Sequence, residues 1–133
     1  MLDVQRYWEV VLFSWMTGNS DMHCKNFSLI DTGGGKYALA PAYDLLAVLL
    51  ADPADTEEMA MSFTVGGQKN GFDRNTFMTA FTQSGISATV AKKMIDRMKR
   101  NVPVWEGLIS NSFLPDKMKS DYYRLLNKRI ELL

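Results

Sequence analysis

A short polar stretch near the N-terminus carries residue types suited to phosphoryl transfer. Asp21 and Asn26 lie in one predicted loop, and Asp44 follows 18 residues after Asn26. Phosphoryl transfer requires a carboxylate near the attacking hydroxyl and oxygen ligands for the Mg²⁺ ions that bridge the nucleotide phosphates. The loop could supply the carboxylate and one amide ligand, and Asp44 could supply a charged metal ligand.

The segment between these residues is predicted to be a β-hairpin. Phe27–Ile30 and Lys36–Leu39 are short strand-like runs, and Asp31–Gly35 is a glycine-rich turn. Because the two arms are about equal in length, the hairpin would return Asp44 to the side of Asn26. The glycines do not form a phosphate loop, since the first glycine of that motif is missing and no Ser or Thr follows the lysine.

The order and spacing of these residues resemble a known family. The segments Gly18–Leu29 and Leu39–Leu46 are similar to the C-terminal region of the HipA-like serine/threonine kinases, the toxins of bacterial toxin–antitoxin pairs. Lipid kinases, which those toxins resemble, also carry an Asp-x-His-x-x-Asn catalytic loop. Residues 51–133 are compatible with the helical C-terminal subdomain of the family but carry no diagnostic motif.

The resemblance implies a role for each residue of the loop. Asp21 would be the catalytic base that orients the substrate hydroxyl, and Asn26 and Asp44 would be the Mg²⁺ ligands. His23 and Lys25 would lie close to the phosphates of ATP, where a lysine offsets developing negative charge. The implied partners are a protein substrate and an antitoxin-like DNA-binding protein, with DNA reached only indirectly through the antitoxin complex.

Taken singly, these residues have simpler explanations. A loop Asp or Asn is most often a turn or cap residue, and a lone histidine is usually structural. Asp44 alone would be interpreted as the N-cap of a following helix. Two other functions therefore stay open: a non-catalytic module that binds an antitoxin-like partner, and a metal-dependent phosphohydrolase that uses Asp21 and Asp44.

Composition limits the class of protein. The 133 residues include 47% hydrophobic and 23% charged residues, with 15 basic and 15 acidic side chains, as in an ordinary globular domain. One cysteine excludes a disulfide framework and a Cys-rich zinc module. No signal peptide or membrane-spanning run is evident, so we expect a cytoplasmic protein without a membrane partner.

The remaining pattern predicts a mainly α fold, the helical C-terminal subdomain of a kinase-like fold with a small β-hairpin after the catalytic loop. The first predicted helix is apolar on most sides, which indicates that it is buried between other elements. The predicted elements outside the hairpin are a helix over 3–16, a short helix over 44–50, an acidic loop over 51–58, a β-like stretch over 61–72, and helices over 73–84, 87–103 and from Pro115 onward.

The expected domain organisation is a single unit, residues 1–133, that lacks part of a kinase. No glycine-rich loop precedes Asp21, and only 20 residues stand before it. The N-terminal lobe that would clamp the nucleotide is therefore expected to be absent, and the chain alone is expected to be inactive. The chain would be a fragment, a split-gene subunit or a degenerate relative.

Charge is unevenly distributed along the chain. Residues 1–66 carry 3 basic and 9 acidic groups (net −6), and residues 67–133 carry 12 basic and 6 acidic groups (net +6). Five cations lie on one predicted helix: Lys92, Lys93, Arg97, Lys99 and Arg100. Such a face is usually solvated, but one hypothesis is that it contacts the phosphates of DNA.

Overall fold

The computed structural model describes residues 2–52, 58 and 68–133. The expected mainly α fold with a small hairpin is confirmed. Its elements in chain order are α1 (Leu2–Thr17), a 3₁₀ turn (Cys24–Asn26), β1 (Leu29–Gly33), β2 (Lys36–Leu39), α2 (Val48–Ala51), α3 (Arg74–Gln83), α4 (Ala88–Ser110) and α5 (Asp116–Leu132).

The core forms where α1 meets α3, α4 and α5. Trp15 of α1 is fully buried and lies 5.0 Å, ring centre to ring centre, from Phe77 of α3. The indole of Trp8 donates a hydrogen bond of 2.8 Å to Ser84, at the end of α3. Leu126 of α5 is also fully buried. The outer side of α1 is less covered than its sequence predicts, because Leu2 and Val4 near its start are exposed.

The hairpin is antiparallel and lies at the surface. Leu29 pairs with Leu39 and Asp31 with Tyr37, and the register shifts at a bulge before Gly33. The first strand begins two residues later and ends three residues later than predicted, so the turn is Gly34–Gly35 and not Asp31–Gly35, because Asp31 pairs with Tyr37. Beyond the strands, the backbone N–H of Ala40 donates to the carbonyl of Ser28 over 2.9 Å. The pairing therefore extends towards the segment that leads to Asp44.

Three predicted helix starts are confirmed, two of them by a side-chain cap. Asp73 accepts a hydrogen bond of 2.8 Å from the backbone N–H of Thr76 at the start of α3. Ser87 accepts one from Val90 at the start of α4. Pro115 is the residue before α5, where its missing N–H costs no hydrogen bond.

The prediction that Pro103 ends a helix is wrong. The structure has one continuous helix, α4, with Pro103 in its interior. A proline there removes one backbone hydrogen bond, but packing on both sides of it holds the helix together. Val102 and Ile109 are buried, and Trp105 meets Phe13 of α1 edge-to-face with ring centres 5.2 Å apart.

The prediction of a helix over 44–50 is also largely wrong. A single helical turn begins only at Val48, and Asp44 is not its N-cap. The backbone of Asp44 has a φ of 56°, outside the extended geometry of a cap. Its carbonyl and carboxylate are both bound by asparagines, as described below.

Two other predictions fall largely outside the described residues. The acidic loop over 51–58 is described only at Ala51, Asp52 and Glu58. For the β-like stretch, residues 61–67 lie outside the described part of the chain, and residues 68–72 form no strand. Among the described helices, none is both long and apolar enough to cross a membrane.

Candidate active site

The loop that follows α1 begins at a glycine that no other residue could replace without strain. Gly18 has a φ of +78°, and a Cβ added there would lie 2.7 Å from a side-chain carbon of Leu125 on α5. Its carbonyl accepts a hydrogen bond of 3.0 Å from the backbone N–H of Leu49 in α2. This position therefore joins the loop to α2 and brings it against α5.

Asn26 is held in a single orientation by the 3₁₀ turn. Its side chain is buried, with 5% of its surface exposed. The amide oxygen accepts a hydrogen bond of 3.0 Å from the backbone N–H of His23, and the backbone N–H of Asn26 donates to the carbonyl of His23 over 2.9 Å. The loop thus presents the remaining amide group of Asn26 in one direction.

That group points to Asp44. The amide nitrogen of Asn26 donates to Oδ2 of Asp44 over 2.6 Å, which joins two residues 18 positions apart. The predicted return of Asp44 to the side of Asn26 is therefore observed. The hairpin between them provides the necessary reversal of the chain.

The backbone at Asp44 adopts a conformation that few non-glycine residues take. Its φ of 56° lies in the left-handed region, which Asp tolerates better than most residues. The buried side chain of Asn19 donates to the carbonyl of Asp44 over 3.4 Å. Such conformations persist where the surroundings hold them, and they concentrate at functional sites.

A further hydrogen bond fastens the loop to the end of the hairpin. The hydroxyl of Tyr43 donates to the backbone carbonyl of Lys25 over 3.0 Å. The side chain of Lys25 is exposed, and no described residue forms an ion pair with its ammonium group.

Asp21 and His23 are placed differently from the Asn26–Asp44 pair. Asp21 is exposed between buried Ser20 and Met22, so its backbone is anchored while no hydrogen bond to a described residue restrains its carboxylate. Nδ1 of His23 is buried without a hydrogen-bond partner among the described residues. The structure does not bring either side chain into hydrogen-bond contact with Asp44.

Sequence reasoning missed two residues that support this site. Asn19 and Tyr43 were recognised as parts of the motif but not as contacts of Asp44 and of the loop. For Asn19 one signal was available: it is a polar residue between Gly18, where α1 has ended, and Asp21 of the motif. Tyr43 offered no signal before the fold was known, because its partner is a backbone carbonyl.

A second polar cluster holds α1 and α5 together, and the sequence pattern gave no indication of it. One carboxylate oxygen of Glu58 lies 2.9 Å from the guanidinium of Arg129, and the other accepts a hydrogen bond of 2.9 Å from the indole of Trp15. The guanidinium also lies 4.4 Å from the centre of the Trp15 ring. Burial tends to raise the pKa of Glu58, but the hydrogen bonds from Trp15 and Arg129 and the charge of Arg129 outweigh it and lower the pKa.

Oxygen donors dominate the candidate site. Within residues 2–52, 58 and 68–133, no group of three or more His, Cys, Asp or Glu side chains is placed to hold a metal ion. The Asn26–Asp44 pair offers the carboxylate of Asp44 and the second lone pair of the Asn26 amide oxygen, since that oxygen already accepts from His23 and the amide nitrogen faces Asp44. Such a set cannot enclose a metal as a structural zinc site does, and it requires further ligands from water or a bound molecule.

Comparisons with known proteins found similar sequences and a similar fold. The family model described as "HipA-like C-terminal domain" matches residues 1–105. "Putative kinase Y4dM" of Sinorhizobium fredii is 47% identical over 115 residues, covering 78% of this chain and 25% of that protein. "Putative kinase Y4mE" of the same organism is 30% identical over 97 residues, covering 72% of this chain and 22% of that protein. The chain thus spans about a quarter of the length of these relatives.

A solved structure has the same fold. HipA of Shewanella oneidensis, in a complex described as HipA, HipB and operator DNA, superimposes with a TM-score of 0.76 at 23% identity. The match covers 96% of this chain and 30% of that HipA chain. The family model extends over most of the sequence, including the loop and the hairpin. The chain therefore belongs to the family of HipA-like C-terminal domains.

Proposed function

We propose that this chain carries the catalytic base and the Mg²⁺-binding residues of a protein serine/threonine kinase that uses ATP. The single observation that supports the proposal best is the hydrogen bond of 2.6 Å between Asn26 and Asp44. It joins an amide and a carboxylate from distant parts of the sequence, in a backbone conformation that tertiary contacts must hold. The names of the two relatives as kinases support the same activity.

Asp21 is the proposed base. Its exposed carboxylate is open to a substrate hydroxyl, and the buried residues on either side hold its backbone in place. In phosphoryl transfer such a carboxylate accepts the hydroxyl proton and orients the oxygen for attack on the γ-phosphate. His23 and Lys25 would lie near the phosphates, where the exposed ammonium of Lys25 attracts their negative charge.

The donor chemistry of Asn26 and Asp44 fits Mg²⁺. This ion prefers oxygen ligands, retains several waters, and is commonly held by one or two carboxylates together with substrate phosphates. When bound, it would neutralise charge on the phosphates. Asp44 contributes a carboxylate, and the amide of Asn26 holds that carboxylate in place in the structure described here.

The proposed activity requires more protein than these residues. The chain corresponds to about a quarter of each Sinorhizobium relative. Phosphoryl transfer also needs groups that cover the nucleotide phosphates, so we expect the 133 residues by themselves to transfer no phosphate.

A chimera provides the test. This chain would replace its matching segment in Y4dM, the relative with 47% identity. We expect Mg²⁺-dependent transfer of phosphate from ATP to a protein serine or threonine. D21N and D44N should each lower the rate by about 10²- to 10⁴-fold, because each removes a charge needed at the reacting groups.

A matched variant separates this effect from a general loss of charge. Asp31 lies in β1, beside the bulge, where its carboxylate accepts a hydrogen bond of 2.7 Å from the backbone N–H of Gly33. Asn can accept the same bond, so D31N should leave the rate within about twofold. If D21N and D44N behave like D31N in an active chimera, the proposed roles are wrong. A folded chimera without any transfer would favour a non-catalytic interaction module.

We also propose an antitoxin-like DNA-binding partner. The support is the neighbouring HipA structure, whose description includes HipB and operator DNA. Shewanella oneidensis HipB is therefore a suitable probe. We expect it to co-elute with the chimera in size-exclusion chromatography and to be required for any retention of the chimera on operator DNA. Independent elution of the two proteins would contradict this part of the proposal.

A further inference from the structure

A groove runs between α1 and α4, and none of the residues 18–26 or Asp44 lines it. An ion pair between Glu9 of α1 and Arg97 of α4 crosses it. Two cavities adjoin this pair: Glu9 lines both of them, and Arg97 lines one. The groove therefore has two compartments that share one wall.

The first compartment is basic. Its volume is about 420 Å³, and Gln5, Lys93, Arg97 and Arg100 contribute its polar lining. Lys93 and Arg100 are exposed and form no ion pair with any described residue. Three cations thus face a single carboxylate, that of Glu9. The excess positive charge attracts an anionic group from solution.

The second compartment is mainly apolar. Its volume is about 510 Å³, and α1 and α4 line it with Val10, Phe13 and Met98. The opposite wall is residues 39–42, which connect the hairpin to Tyr43 and Asp44. Arg6 and Glu9 stand at its edge. A compartment of this volume and lining suits a large apolar side chain.

We infer that this groove binds a peptide segment of a protein partner in which acidic residues lie next to a large apolar residue. The acidic side chains would pair with Lys93 and Arg100, and the apolar side chain would occupy the second compartment. The charge and polarity of the two adjoining cavities carry the inference, since each matches a different part of such a peptide. It does not depend on the proposed phosphoryl transfer, because none of the loop residues lines the groove.

The same surface suits nucleic acid less well. Arg97 is already paired with Glu9, so Lys93 and Arg100 are the lining cations without an ion-pair partner among the described residues, and a duplex backbone usually needs more phosphate contacts than two. The adjoining compartment is mainly apolar and matches no part of a phosphate backbone, whereas it suits an apolar side chain of a peptide. The basic residues on α4 are therefore better placed to bind a short acidic segment than a duplex.

Fluorescence anisotropy with labelled synthetic peptides tests the inference on the 133-residue chain. The parent peptide is a run of glutamates followed by Gly-Leu-Phe. A second peptide has glutamine in place of glutamate, and a third has Ser-Ser in place of Leu-Phe. We expect saturable binding of the parent and an affinity about tenfold lower for each of the other two, because each loses one set of contacts.

Matched protein variants locate the binding site. K93Q/R100Q removes two cations that line the groove and should weaken binding of the parent peptide about tenfold. K92Q/K99Q removes the same charge from positions on α4 that do not line it, and should change the affinity by no more than about twofold. Circular dichroism and the thermal midpoint verify that both double variants are folded.

Three results would overturn the inference. The first is no saturable binding of the parent peptide. The second is an equal loss of affinity in the two double variants, which would indicate a general electrostatic effect. The third is tighter binding of a DNA duplex that both double variants weaken equally, which would assign the basic face of α4 to nucleic acid.

Discussion

Replacing Glu58 by Gln should destabilise the fold more than any exposed charge change. The side chain of Arg129 is only 3% exposed, and its guanidinium lies 2.9 Å from the Glu58 carboxylate. E58Q removes the negative charge and leaves a buried cation without its counter-ion. Breaking a buried ion pair in this way typically costs about 3–5 kcal/mol.

The structure places the expected cost at the lower end of that range. Glu58 is 19% exposed, so water partly screens the pair. The Trp15 ring remains 4.4 Å from the guanidinium, and Gln can still accept the hydrogen bond from the indole. We therefore expect E58Q to lower the free energy of unfolding by about 3 kcal/mol. With a denaturant slope of about 2 kcal/mol per molar, the urea midpoint would fall by about 1.5 M.

Urea denaturation followed by circular dichroism is the assay, with E131Q as the matched control. Glu131 is an exposed residue of the same helix as Arg129, so its change should stay within about 0.5 kcal/mol. If E58Q destabilises no more than E131Q, the buried pair does not support the fold as argued.

The pH dependence of the stability difference between the parent chain and E58Q provides a second measurement. The pKa of Glu58 is lower in the folded protein than its ordinary value. A carboxylate with a depressed pKa contributes stability above its unfolded pKa, about 4.3, and that contribution is lost as the pH falls through the folded pKa. The difference in stability between the parent chain and E58Q should therefore be constant near neutral pH and shrink in acid. A difference independent of pH would contradict the ionised form of Glu58 as the cause.

Three smaller perturbations test the elements that hold the candidate site. G18A should lower the free energy of unfolding in urea by about 2–4 kcal/mol, because Ala is strained at positive φ and its Cβ would lie 2.7 Å from a side-chain carbon of Leu125. A loss below about 1 kcal/mol would show that the loop relaxes around the new side chain. D73A should lower the free energy of unfolding by about 1 kcal/mol in the same assay, since it removes the cap on the N–H of Thr76. The hydrogen bonds from Thr76 lower the pKa of Asp73, so the difference in stability between the parent chain and D73A should decrease in acid. Y43F removes an exposed hydrogen bond to the loop and should cost only about 0.5 kcal/mol, with faster amide exchange at the 3₁₀ turn as its distinguishing measurement.

Some elements were predictable because their signals are local. Asp73 and Ser87 precede apolar helical periods and cap them through their own backbone neighbours, and both helix starts were correct. The hairpin turn was equally clear from its glycines. In these cases the residues that decide the structure lie within a few positions of one another, so a sequence pattern contains the whole interaction.

Pro103 and Asp44 show where local reasoning failed. The proline does weaken its helix, but buried Val102, buried Ile109 and the ring contact of Trp105 with α1 keep α4 continuous. At Asp44, bonds from two asparagines replace the expected cap geometry. In both cases partners distant in sequence outweigh a local preference of a few kcal/mol.

The motif segments 18–29 and 39–46, which contain Asp21, Asn26 and Asp44, were sufficient to indicate the family, because residue types and their spacing can be compared directly along the sequence. Only the tertiary structure decided which of them meet: Asn26 contacts Asp44, whereas Asp21 stands apart in solvent. It alone also revealed the groove between α1 and α4 and the buried pair of Glu58 and Arg129. Each of these depends on contacts between residues that are far apart along the chain, and no local sequence pattern specifies such contacts.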